Sequence, residues 1–211
     1  MKFPILNIDG AKSDSIEISD KIVKLKINHK LIKSVIDWQL NHAKPRTAKT
    51  KQRNQISGST KKIVAQKGSG GARHASKKAP LFVGGGVAHG PKGSVYKIKK
   101  INKKVRKLAL AQTISKKNLE KNLHILGDVK KEIKKTKEFY NFLKTNNLNN
   151  SLIVSDEETL KNINRSARNI KNVKILNEKG LNVYDLLKYK NTILTSSSIK
   201  KIENRILNEK N

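Results

Sequence analysis

Three features of this chain invite a chemical reading: its glycine-rich stretches, its five histidines and a run of acids near residue 157. Gly85 and Gly90 have the spacing of a phosphate-binding P-loop. Pro91 and Lys92 follow, however, where Lys and then Ser or Thr are required. Gly68-Ser69-Gly70-Gly71-Ala72-Arg73 begins a dinucleotide fingerprint and fails at its third glycine. Neither stretch follows a predicted strand and opens a predicted helix. The glycines read better as places where backbone passes close to another surface. His29, His42, His74, His89 and His124 lack metal-ligand spacing, and His74 and His89 sit among cations that oppose a metal. No Ser/His/Asp set can be assembled, because the middle of the chain has no carboxylate to orient a base. Asp156, Glu157 and Glu158 read as complements to a helix N-terminus. No catalytic residue, metal or cofactor is expected.

The strongest chemical signal is charge. Between Asp37 and Glu120 lie 82 residues with 21 Lys or Arg and no acid. The whole chain carries +31, and this stretch holds most of it. Self-repulsion at that density opposes compaction. The stretch also has nine of the chain's 12 Gly and only Trp38, Phe82 and Tyr96 as aromatics, so it has little apolar surface to set against its ordering entropy. Such a segment is expected to order when a polyanion surrounds it, and nucleic acid fits best. Its cations are interleaved with Gly, Ser, Thr and Gln, whose hydroxyls, amides and backbone N–H groups suit phosphate and sugar. Arg adds bidentate phosphate contacts. Few aromatics argue against a stacking groove for single strands. No helix-turn-helix, zinc finger or aromatic RNA-recognition signature is visible. What remains is a cationic arm that moulds to folded RNA. The expected contacts are Lys44, Arg46, Lys49, Lys51, Arg53, Lys61, Lys62, Lys67, Gly70, Arg73, His74, Lys77, Lys78, Lys92, Lys97, Lys99, Lys100 and Lys103.

The elements that must hold this arm come from either side of it. Apolar residues are 36 % of the chain, and most of the deficit lies in the middle. There is no Cys, hence no disulfide framework and no zinc finger or ribbon. No apolar run approaches the roughly 20 residues that span a bilayer, and residues 1–9 lack a signal-peptide apolar block. Synthesis and function in one reducing compartment is the simplest expectation, with no membrane partner. Phe3 to Ile8 and Ile16 to Ile18 read as strands. Asn28 caps a helix with Leu31, Ile32, Val35, Ile36 and Gln39 on one face, ending before the pre-proline Lys44. From His42 to about Val95 neither period is sustained. Helical spacing returns at Ile101, Val105, Leu108, Ala109 and Gln112. Beyond it, strands at 124–126, 151–154, 173–176 and 192–195 alternate with four helices. The first carries Phe139, Phe142 and Leu143. The second, opened by a Ser155/Glu158 capping box, turns Leu160 and Ile163 inward. The third spans Leu181 to Leu187, and the last carries Ile199, Ile202 and Ile206. The predicted fold class is α/β, a mainly parallel sheet flanked by helices and interrupted by one long extended basic loop. Residues 1–40 and 96–211 make the globular domain, and 41–95 the loop.

Residues 66–74 and 79–87, Gln-Lys-Gly-Ser-Gly-Gly-Ala-Arg-His and Ala-Pro-Leu-Phe-Val-Gly-Gly-Gly-Val, resemble the loop of the universal large-subunit ribosomal protein four. Residues 44–51 and 57–62 resemble its ascending arm. Residues 102–110 resemble the helix that follows the loop. Ser166-Ala167-Arg168-Asn169, residues 182–187 and Ile193-Leu194-Thr195 resemble its C-terminal half. The likeness covers nearly the whole chain and is of the bacterial or organellar type. Two departures stand out. Val64 and Ala65 occupy places where the family often has an aromatic and an Arg, and Gly71 stands where an Arg is common. The resemblance implies a non-enzymatic constituent of the large subunit, cytoplasmic or within an organellar ribosome, that binds rRNA and supports assembly. Its partners would be rRNA, neighbouring large-subunit proteins and the nascent peptide. The loop would penetrate rRNA, with Ala65, Gln66, Lys67 and Gly68 lining the exit tunnel. Lys44 to Lys97 allows about 27 residues each way, a reach of up to about 90 Å if fully extended. A regulatory RNA-binder acting on a messenger leader is the alternative.

Overall fold

The structure, a computed structural model, describes residues 1–7, 12–93, 100–129 and 132–207. Ile8, Tyr96, Lys97 and Lys99 therefore lie outside the described residues, and no side chain of 12–14 is described.

Strand β1 (Lys2–Leu6) alternates: Phe3 and Ile5 are buried while Lys2 and Pro4 are exposed. It pairs antiparallel with β2 (Lys12–Glu17), and the register slips between Pro4 and Ile5. Proline has no N–H to donate, so a bulge at that point is the expected adjustment. The remaining strands are β3 (Leu123–Leu126), β4 (Ser151–Ser155), β5 (Val173–Asn177) and β6 (Asn191–Thr195). They join β1 in parallel in the order β2-β1-β3-β6-β4-β5. β4 and β6 are buried at every position, as strands covered on both faces must be.

Period-two alternation splits their side chains between two cores. Leu152, Val154 and Leu194 face one core, built against α2 (His29–Ala43), α3 (Lys103–Leu119), α6 (Val183–Lys188) and α7 (Ser196–Leu207). Ile153 and Ile193 face the other, filled by Phe139, Phe142 and Leu143 of α4 (Thr136–Thr145) and Ile163 and Ala167 of α5 (Glu157–Ala167). The α/β reading with a mainly parallel sheet is what the structure has. Asn28 caps α2 as expected: its Oδ1 accepts the backbone N–H groups of Lys30 and Leu31 at 3.1 and 3.2 Å.

Four details differ from the sequence reading. A one-turn helix α1 (Asp20–Val23) was not expected; it is too short to show a period, yet it buries Ile22 and Val23. In α3 the expected Leu108 is 41 % exposed, while Leu110 and Ile114 are buried. That helix turns small polar residues inward and satisfies them with backbone carbonyls. Thr113 Oγ1 donates to the carbonyl of Ala109 at 2.7 Å, and Ser115 Oγ to that of Ile22 at 2.6 Å, so polarity there does not mark the outer face. The Ser155/Glu158 capping box does not form. Ser155 still belongs to β4, its buried Oγ has no hydrogen-bond partner among the described residues, and Asp156 takes the N-cap position. Leu160 is only half-buried; Thr159 and Ile163 face inward. Helix α6 begins two residues later than expected because Asn182 accepts the Asp185 N–H at 2.8 Å and caps it.

The chain divides into two units, 1–40 with 100–211, and 41–99. The first is the α/β unit just described. Beyond the last turn of α2 at residues 41–43, the second has no sheet strand and no further α-helix among its described residues; it has a 3-10 turn at Arg53–Gln55 and an isolated antiparallel bridge between Lys49 and Lys92. No described helix is long and apolar enough to cross a membrane.

Candidate nucleic-acid interface

The described residues of the 41–99 unit form no apolar core. Among its described residues only Ser76, Gly86 and Gly93 are buried. Its backbone runs out along one limb and returns along another, and a few hydrogen bonds tie the limbs. Thr50 N–H donates to the Pro91 carbonyl and Val87 N–H to the Lys51 carbonyl, both at 2.9 Å. Further out, Ser76 Oγ donates to the Ser59 carbonyl at 3.4 Å, and Ile63 N–H to the Ala75 carbonyl at 2.9 Å. Residues 64–74 form the tip beyond this last tie.

Glycine sets how closely the limbs approach. A Cβ on Gly86 would lie 2.3 Å from the Arg53 nitrogen, and one on Gly90 would lie 2.1 Å from Thr50 Oγ1. Any side chain there would force the limbs apart. This is the close backbone passage anticipated for these glycines, made against the chain's own other limb.

Most of the expected contacts are displayed to solvent. Lys44, Arg46, Lys49, Lys51, Arg53, Lys61, Lys62, Lys67, Gly70, Arg73, Lys77 and Lys92 are exposed, as are Lys100 and Lys103 of the α/β unit. His74 and Lys78 are half-buried. His74 meets the Phe82 ring edge-on at 5.1 Å, so its ring is braced by the returning limb. Ala65, Gln66, Lys67 and Gly68 are all exposed at the tip, and Lys62 Nζ donates to Gln66 Oε1. Gly68 takes a φ of 82°, a left-handed conformation that favours glycine there.

The structure brings together Arg53 and Lys78, which are 25 positions apart. With Gln52, Asn54, Thr60 and Ser76 they line an open hollow of about 520 Å³ between the limbs. Cations, amides and hydroxyls converge there with no carboxylate, which is the donor set that phosphate and ribose oxygens require. Gln52, Asn54, Thr60 and Ser76 were not singled out from sequence. Polar residues on irregular backbone carry no period to mark them. No carboxylate occurs anywhere from 38 to 119, so the unit has no internal means of neutralising its charge. Among the described residues no group of His, Asp and Glu could hold a metal. The arrangement can bind polyanions over a long path and offers no group for bond-making chemistry.

Comparison with known proteins agrees. Residues 16–205 match the model of the ribosomal protein L4/L1 family. The large ribosomal subunit protein uL4 of Pelagibacter ubique is 51 % identical over 206 residues, covering 97 % of this chain and 99 % of that protein. Its counterpart in Desulforapulum autotrophicum is 41 % identical over 201 residues, 95 % of this chain and 96 % of the relative. That of Geotalea daltonii is 39 % identical over 202 residues, 96 % and 97 %. An α/β unit of this topology, a carboxylate-free arm and full-length likeness to these bacterial proteins place the chain in the ribosomal protein L4/L1 family, as a large-subunit protein of the uL4 bacterial type.

Proposed function

We propose that the protein is a non-enzymatic structural constituent of the large ribosomal subunit. It binds the subunit's RNA through the 41–99 unit and supports assembly. The observation that carries this is the coreless two-limbed unit, with its cations exposed and no carboxylate among them. Folded RNA supplies the counter-charge that the unit lacks, and phosphate neutralisation is the main source of affinity. RNA contact also completes the ordering of a segment whose own tertiary ties are few. The exposed tip, Ala65 to Gly68, lines the nascent-peptide tunnel in this reading, and neighbouring large-subunit proteins meet the α/β unit. The protein then resides in ribosomes of bacterial type.

Crosslinking the full-length protein to RNA in cells, followed by sequencing of the bound fragments, tests this. Fragments concentrated at a few sites of large-subunit rRNA are expected. A predominance of one messenger leader would replace the structural role with a regulatory one. Fragments scattered without preference would overturn both.

A further inference from the structure

The α/β unit has a concavity of its own, of about 410 Å³. Trp38 of α2, Lys103, Arg106 and Leu110 of α3, Lys179 of the turn after β5 and Arg205 of α7 are among its walls, and no carboxylate among the described residues lines it. The Arg106 guanidinium sits over the Trp38 ring, 5.0 Å from the ring centre. Its Nε is shut off from solvent and has no hydrogen-bond partner among the described residues. A buried guanidinium donor left unpaired is costly, so its persistence points to an acceptor that arrives from outside. Arg205 is fixed by donating Nη1 to the carbonyls of Glu178 and Lys179 at 2.9 and 3.0 Å. Burial pushes this guanidinium below its ordinary pKa, as expected for a cation without a matching anion. Lys179 is already paired with Glu157 at 3.2 Å, which leaves Arg106, Arg205 and Lys103 as the cations that no described ion pair engages.

We propose that this cleft is a second RNA contact, taking one unstacked nucleotide, its base against the Arg106–Trp38 pair and its phosphate on Arg205 and Lys103. This rests on the RNA-binding reading above and extends it to the α/β unit. A guanidinium layered on an indole presents a flat stacking plane, which matches a base. An acidic peptide would draw on the charge alone and leave the plane and the apolar wall unused. The volume suits one nucleotide rather than a helix.

Trp38 is the chain's single tryptophan, so its emission reports on the cleft. Full-length protein is titrated with hexa-adenylate and, separately, with hexaglutamate, in salt high enough to screen exposed charges. Retention of large-subunit rRNA on a filter is measured in parallel. Saturable quenching by hexa-adenylate is expected, about tenfold weaker in Arg106→Gln. It should be weakened in Lys103→Gln, and unchanged when Lys144 and Lys161, exposed cations outside the cleft, are replaced by Gln. Lys103 is exposed, so its variant decides the matter if Arg106→Gln fails to fold. Quenching that ignores both cleft substitutions, or an equal response to hexaglutamate, overturns the nucleotide assignment. Filter retention without any Trp38 response sinks the cleft and leaves the RNA-binding function standing. Loss of retention itself sinks the function.

Discussion

Gly86 passes so close to Arg53 that a Cβ would lie 2.3 Å from the Arg53 nitrogen and 2.7 Å from its Cα. This contact, with the Thr50 to Pro91 and Lys51 to Val87 hydrogen bonds beside it, sets the spacing of the two limbs. Gly86→Ala should force them apart at a strain of about 1–3 kcal/mol, a loss of roughly 5- to 150-fold in RNA affinity. Thermal unfolding of the α/β unit should not change. Equal RNA affinity in filter binding would mean that the limbs separate in the complex anyway.

The exposed cations predict a steep salt dependence of RNA binding, with log K falling by about 0.7–0.9 per neutralised phosphate per decade of salt. Arg46, Lys49, Lys51 and Arg53 are all exposed. Replacing the four with Gln should flatten the slope by about 3. A flat dependence in the parent protein would show that neutral contacts dominate.

Lys67 lies exposed at the tip, beyond the last cross-limb tie at Ile63 and Ala75. If the tip lines the tunnel, Lys67→Glu still assembles into subunits and selectively alters the response of translation to tunnel-binding drugs. Lys49→Glu and Lys77→Glu should impair assembly instead. Subunit incorporation and drug sensitivity, measured across the three variants, separate a tunnel residue from one more phosphate clamp; equal behaviour would remove the tunnel role.

Asn28→Ala removes the acceptor of two N–H groups at the start of α2. The expected cost is about 1 kcal/mol, read as a lower urea midpoint at constant slope. Asn28→Asp, which keeps an acceptor, should restore most of it. A midpoint that Asn28→Ala leaves in place would show that tertiary packing alone holds this helix start.

Asp156, hydrogen-bonded by Lys201, has its carboxyl held below the ordinary value of 3.8. Its folded pKa is thus lower than its unfolded one. The resulting stability is present above the unfolded value and fades as pH falls through the depressed folded value. The pair is partly exposed, so solvent screening keeps its contribution small. Asp156→Asn should therefore lose stability near neutrality and progressively less as pH falls below the unfolded value, narrowing the gap to the parent protein on acidification. Urea unfolding across that range checks it, and a constant gap would assign the loss to packing.

The chain's local chemistry was legible wherever burial repeats at a short period. Leu152-Ile153-Val154 and Thr192-Ile193-Leu194 read as buried parallel strands, and β4 and β6 are adjacent interior strands buried at every position. Phe139, Phe142 and Leu143 share one helix face because spacings of three and four residues do so by geometry. The absence of carboxylates from 38 to 119 by itself points to a polyanionic partner. Tertiary structure decided what depends on residues far apart in the chain. Leu108 turns outward because Thr113 and Ser115 find acceptors inside, one of them on Ile22, 93 positions away. Arg53 joins Lys78, and Arg106 covers Trp38, through backbone paths that no local period encodes. A period records only which side of an element is dry. Which distant side chains then meet is set by how the elements pack and how closely glycine lets backbones pass.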